Sequence, residues 1–292
     1  MGTARHLAVA ARTCQRLLRV RAGLDGPRPS LADTEVGSRS NEQRMISPMP
    51  SHLSVPVEIT SGSLMVLVGL VAVAVAKWIW RIQFQWFCCG ALLWAIAVAA
   101  KRFIAVLTLN SVLGVFQNHL PHPMYLALGS GYIGLLTGIT EPVVTLAAGL
   151  LWWQLTYDAR RAVGIGLGAG AFEAVYFGMV AVVASGDMIG SQAGFGISVV
   201  IPVAERLILI PCHAAVRVMT LYAIATRRWS WFWGGFAIFT AMDSIAGFYQ
   251  LTNHTTDPWL IELSFLPFAV ISVLLARYLW QHWPLQTSQK IA

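Results

Sequence analysis

Beyond residue 56 the chain is a series of long apolar runs separated by short polar or basic stretches. The runs are Ser61–Trp80, Trp86–Leu109, Met124–Leu155, Ala162–Ala184, Gly196–Thr226, Ser230–Leu251 and Trp259–Gln281. A helix that crosses hydrocarbon needs about 20 largely apolar residues, so each run predicts a transmembrane helix. The third is too long for one straight span. Within it, Thr140-Glu141-Pro142 pairs a good N-cap with a proline suited to a first helical turn. A break there raises the expected number from seven to eight. The predicted fold is an all-α polytopic membrane protein, with a transmembrane helical domain over 56–285 and a short tail over 286–292.

Composition sharpens that picture. Apolar residues make up 57% of the 292 positions and charged ones 11%, with a mean hydropathy of +0.64. Soluble domains carry about 25% charged residues, which excludes an ordinary soluble enzyme. Disordered chains are apolar-poor and charge-rich, which excludes disorder for most of the length. Residues 1–55 differ, with eight arginines, many Ser and Pro, and no long apolar run. This segment is Arg-rich like a transit segment, but Asp25, Asp33, Glu35 and Glu42 fit a disordered or over-extended tail better, with Met45 or Met49 as the initiator. Cys14, Cys88, Cys89 and Cys212 have no disulfide or zinc-ribbon spacing.

The net charge of +7 points to an anionic bilayer surface rather than to nucleic acid. With seven spans, Lys77, Arg81, Arg160, Arg161, Arg227, Arg228, Arg277 and Lys290 fall on one side, against Lys101 and Arg102 on the other. Ten of the twelve tryptophans gather at the basic face as an interfacial belt; Trp94 and Trp259 do not. Both patterns place the basic face and the C-terminus in the cytoplasm.

Ionisable groups inside a bilayer cost at least about 2.5–3.5 kcal/mol and are functional candidates by default. The spans hold Glu141, Glu173, Glu205, Arg206, His213, Arg217 and Asp243. Counting from the flanking basic residues at about 1.5 Å per residue puts Glu173, His213 and Asp243 at one depth, roughly 18–22 Å in. The same count gives roughly 28 Å for Glu141 and 33 Å for Glu205, a second tier nearer the outside. Gly166, Gly170 and Glu173 share a helical stripe whose small residues let a neighbouring backbone approach. Arg206, His213 and Arg217 share another, with Glu205 about 100° away. Plainer roles exist for each: glycine stripes pack helices, and Glu205-Arg206 can fix helix register. His119, His122, His254 and His282 read as surface residues. G-x-S-x-G and H-E-x-x-H signatures are absent, and Gly164–Gly170 follows no strand, so it is no dinucleotide fingerprint.

Four stretches are similar in order to the YhfC family of predicted bacterial intramembrane metalloproteases, distant relatives of the CAAX-prenyl protease and PrsW groups. They are Gly131–Thr145, Gly164–Gly178, Ala204–His213 and Phe239–Gly247. Glu141, Glu173, Glu205, Arg206, His213 and Asp243 match the family pattern. Thr140, Ala169 and Phe239 stand where the family carries Glu, His and His, and Val144 and Thr145 where it carries Arg. The resemblance implies a bacterial cytoplasmic-membrane protease cutting a membrane-associated peptide with a zinc-activated water. His213, Glu173 and Asp243 would ligate Zn²⁺, Glu141 or Glu205 would take the water's proton, and Arg206 would steady the oxyanion or Glu205. The core offers one imidazole, and Cys212 lies about 100° round the helix from it. Two further classes use the same residues: a proton- or solute-coupled transporter with a carboxylate–imidazole relay, and a non-catalytic scaffold whose ion pairs serve packing.

Overall fold

Each apolar run folds as one helix in the computed structural model, which describes residues 54–184, 195–252 and 255–284. The helices are α1 (Ser54–Trp80), α2 (Phe84–His119), α3 (His122–Leu151), α4 (Ala159–Ala184), α5 (Phe195–Thr226), α6 (Ser230–Leu251) and α7 (Pro258–Gln281). A single 3₁₀ turn, Trp153–Thr156, links α3 to α4. The N-terminal tail, Cys14, His254 and the final residues lie outside the described ones.

The chain is thus an all-α polytopic membrane protein. Among the described residues, six helices are long and apolar enough to cross a membrane; α6 is the exception. Its 22 residues have the length, but Asp243, the Trp and Gly residues near its start and Gln250 lower its hydropathy. The sequence reading of seven spans therefore holds as seven helices, six of them meeting the apolar criterion.

Two boundaries depart from expectation. Helix α2 runs ten residues past Leu109 to His119, so Lys101 and Arg102, expected as outer-side charges, lie in the middle of a helix rather than at its end. Helix α3 is not broken at Pro142, which removes the eighth span. Proline leaves one backbone carbonyl without its helical partner. Here the hydroxyls of Thr140 and Thr145 bond the carbonyls of Leu136 and Glu141 on either side of it. The carbonyl that Pro142 frees is that of Gly138, and packing by neighbouring helices lets α3 continue through the proline. Pro142 is fully buried, and α5 likewise continues through Pro202 and Pro211.

Helices α4 and α5 form the inner seam. On α5, Cys212, Ala215, Val216, Val218, Leu221 and Ala223 are fully buried. The glycines of α4 explain how the backbones come so close. A Cβ on Gly166 would sit 2.5 Å from the Ala214 Cα, and one on Gly170 2.9 Å from the Ile210 Cα. Gly164 and Gly168, half a turn away, face α2 at Trp86 and Phe87 instead. The run therefore lets two helices approach α4 at once, and the Gly166–Gly170 stripe leads directly to Glu173.

At the basic end, several tryptophans of the expected belt pack on one another or on a shared tyrosine. Trp80 packs on Trp280, Trp86 on Trp152, and Tyr222 on both Trp231 and Trp283. The Arg161 guanidinium lies 4.9 Å from the rings of Trp86 and Tyr157, a cation–π contact suited to an interface. Helices α1 and α5 both end here on arginines with left-handed backbones, Arg81 (φ 51°) and Arg227 (φ 57°), a position usually given to glycine.

Candidate functional site

The α4–α5 seam carries a continuous chain of charged side chains. Arg217, one turn after His213 on α5, donates from Nη2 to Glu141 Oε2 of α3 at 2.8 Å. Its Nη1 lies 3.0 Å from His213 Nδ1. His213 Nε2 lies 2.7 Å from Glu173 Oε2 of α4. Glu173 also accepts from Trp94 Nε1 of α2 at 2.8 Å and from Arg206, which pairs in turn with Glu205. The order Glu141–Arg217–His213–Glu173–Arg206–Glu205 places opposite charges beside one another, with the imidazole in the middle. Glu141, Arg206, His213 and Arg217 are all buried. Burying charges is tolerable only when they are paired and hydrogen-bonded; every charge here is paired through a terminal nitrogen, while Arg206 Nε and Arg217 Nε are buried without a partner.

A second, shorter cluster lies on the same cavity. Asp243 of α6 accepts from Lys101 Nζ of α2 at 2.6 Å and from the Thr137 hydroxyl of α3. Glu141, Glu173, His213, Asp243, Lys101 and Arg102 all line one cavity of about 230 Å³, with Trp94, Phe177 and Phe239 among its apolar walls. Residues from five helices thus converge, as expected for the polar groups of separate spans.

The two-tier reading needs one change. Glu141 is not paired with an outer group; it lies beside His213, with Nδ1 and Oε2 3.5 Å apart. Counting from Arg160 had included the non-helical link at Trp152–Asp158, which does not advance through the bilayer. Measured from the end of α3 at Leu151, Glu141 is about 15 Å in, near the level of His213. Glu205, counted along an unbroken α5, keeps its outer place and pairs with Arg206.

The expected ligand set is brought only partly together. Glu173 and His213 touch, but Asp243 is held by Lys101 and Thr137. Among the described residues, no group of three or more His, Cys, Asp or Glu side chains is placed to hold a metal ion. The donor chemistry explains this. Both His213 ring nitrogens are engaged, and Glu173 already receives three donors. Phe239, which stands where the family has His, packs edge-on against His213 with ring centroids 4.9 Å apart. Ala169, at the other such position, is fully buried with nothing to donate. Zinc ligands need free lone pairs on deprotonated groups, and two arginines beside them oppose a further dication. The residues present do not fit zinc.

Three participants escaped the sequence reading. Trp94 was legible as a tryptophan out of place, one of two away from the belt. Lys101 lies within the expected span Trp86–Leu109 but counts there only as an outer-side charge, and its pairing with Asp243 has no sequence signal. Glu262 of α7, a carboxylate in the last span, is buried with Oε2 lacking a hydrogen-bond partner. Cys88, Cys89 and Cys212 are free thiols.

No protein-family model, curated protein or solved structure matches this chain.

Proposed function

We propose that the chain is a membrane-embedded hydrolase of the intramembrane-protease type, acting on a peptide segment of a membrane-associated substrate without zinc. One observation carries the reading: Glu141, Glu173, His213 and Asp243, from four helices, line a single cavity inside an apolar bundle. Such convergence of ionisable groups at membrane depth marks chemistry or transport by default.

Glu141 is the candidate base. Arg217 occupies its Oε2, while Glu173 is saturated by three donors. Glu141 takes a proton as a water oxygen adds to the peptide carbonyl, then returns it to the departing amine, the ordinary general acid–base cycle. Lys101, at the cavity wall, supplies positive charge where the carbonyl oxygen becomes negative. Arg206 and Trp94 hold Glu173, and Glu173 with Arg217 holds His213. The resemblance to the YhfC family supports the substrate class. The basic residues and tryptophan layer at one end support a C-terminus on the cytoplasmic side, and the family resemblance implies a bacterial cytoplasmic membrane.

A second reading, a proton-coupled transporter, is favoured by the charge count. With His213 neutral, the two clusters hold four carboxylates (Glu141, Glu173, Glu205, Asp243) and three fixed cations (Lys101, Arg206, Arg217), so one added proton balances them.

The deciding experiment reconstitutes the protein in liposomes containing a quenched fluorescent transmembrane peptide and a pH-sensitive dye. Cleavage that survives chelator and is lost at least about 100-fold in Glu141→Gln, as general-base removal predicts, supports the hydrolase. Proton flux without cleavage supports the transporter. Neither activity leaves the scaffold.

A further inference from the structure

Arg217 is among the most deeply buried charged side chains described, 1% exposed, and its hydrogen bonds have a chemical consequence beyond packing. We infer that Arg217 is the site's built-in cation: it fixes His213 as the Nε2–H tautomer and fills the place beside Glu141 and His213 that a divalent metal would need. The inference rests on reading the cluster as a chemical site, yet its tests do not depend on cleavage.

A guanidinium has N–H donors and no acceptor. Facing Arg217 Nη1 at 3.0 Å, His213 Nδ1 must therefore be the accepting nitrogen. The ring proton of the neutral imidazole is then on Nε2, where it donates to Glu173 at 2.7 Å. Neither nitrogen keeps a lone pair for a metal. The same guanidinium neutralises Glu141 through its other arm and lies 5.7 Å from the Phe239 ring centroid, so its position is set from three helices. His213 and Arg217 are four residues apart on α5, a spacing that stacks side chains on one helix face. The device is local in sequence, while its effect depends on Glu141 and Glu173 arriving from α3 and α4.

The test uses the full chain in nanodiscs with ¹⁵N-labelled histidine, the His213 signals being assigned by their loss in His213→Gln. Wild type is expected to show an unprotonated Nδ1 and a protonated Nε2, undisturbed by added zinc chloride. In Arg217→Gln the ring should sample both tautomers, and His213-dependent zinc binding measured by dialysis should tighten at least about tenfold, roughly 1.4 kcal/mol. If Arg217→Gln does not fold, the double variant Glu141→Gln/Arg217→Gln, which removes both charges together, carries the same readout. A protonated Nδ1 in wild type, an unchanged ring signature in the variant, or one equivalent of zinc bound by wild type and lost in His213→Gln overturns the inference. A hydrolase assay that fails while the tautomer and zinc results hold sinks the proposed function alone.

Discussion

The two charged clusters on the cavity use the same chemistry in different surroundings. Arg217 and Glu141 are 1% and 6% exposed, whereas Lys101 and Asp243 are 29% and 33% exposed. In the first, neither partner can turn to water, so each depends on the other for its charge to be tolerated. In the second, part of the cavity stands in for solvent, and either partner can be released at modest cost. The buried cluster therefore fixes the register of α3, α4 and α5, while the open one is free to meet a substrate. The closed pair holds Glu141 in place on the cavity wall, and the pair that can open is the one that meets the substrate.

The largest break in this contrast should come from Arg217→Met. It strands Glu141 in the interior, and the expected loss is about 3–5 kcal/mol, the cost of breaking a buried pair from one side. Thermal unfolding in detergent measures it, and Glu141→Gln in the same chain should recover most of the loss. If the single variant is as stable as wild type, the buried chain is not the bundle's clamp.

Next in size is Gly166→Val. Its Cβ would fall 2.5 Å from the Ala214 backbone, forcing α4 from α5 at about 1–3 kcal/mol. Because Glu173 rides on that seam, the ¹⁵N signature of His213 should move with the melting temperature. A change in stability alone would mean the seam packs helices without positioning the site.

Lys101→Met sharpens the comparison from the open side. It should cost at most about 1 kcal/mol, as partly exposed pairs do, yet lower peptide cleavage or proton flux at least about tenfold. A large loss of stability with activity retained per folded molecule would reverse the roles given to the two clusters. The smallest effect is expected at Glu262→Gln. That carboxylate has a buried oxygen without a partner, so an amide should leave the unfolding midpoint within about 0.5 kcal/mol of wild type.

How much of this was legible beforehand varies with the range of the interaction. Helix α6 was bounded correctly, at Ser230 and Leu251, because the apolar run between those residues has the length of a helix that could span. Glu173 was aimed correctly because Gly166 and Gly170 share its stripe, a relation internal to one helix. Lys101 was misplaced because a charge in the outer half of a long helix reads as a surface charge, and only the approach of Asp243 from α6 gives it a partner. Glu141 was set too far out because depth counted along a chain mistakes a link that runs sideways for one that descends.

The linear order of residues determined the class of the protein. Burial of backbone polar groups in hydrocarbon permits helices or closed barrels, and runs of this length and apolarity select helices. It also determined which side chains share a helix face, since that follows from 3.6 residues per turn. Only the packed bundle decided the partners: Arg217 with Glu141, His213 with Glu173, Asp243 with Lys101. The reason is electrostatic. In a low-dielectric interior a charge settles with whichever opposite group comes within hydrogen-bond reach, and that group belongs to another helix.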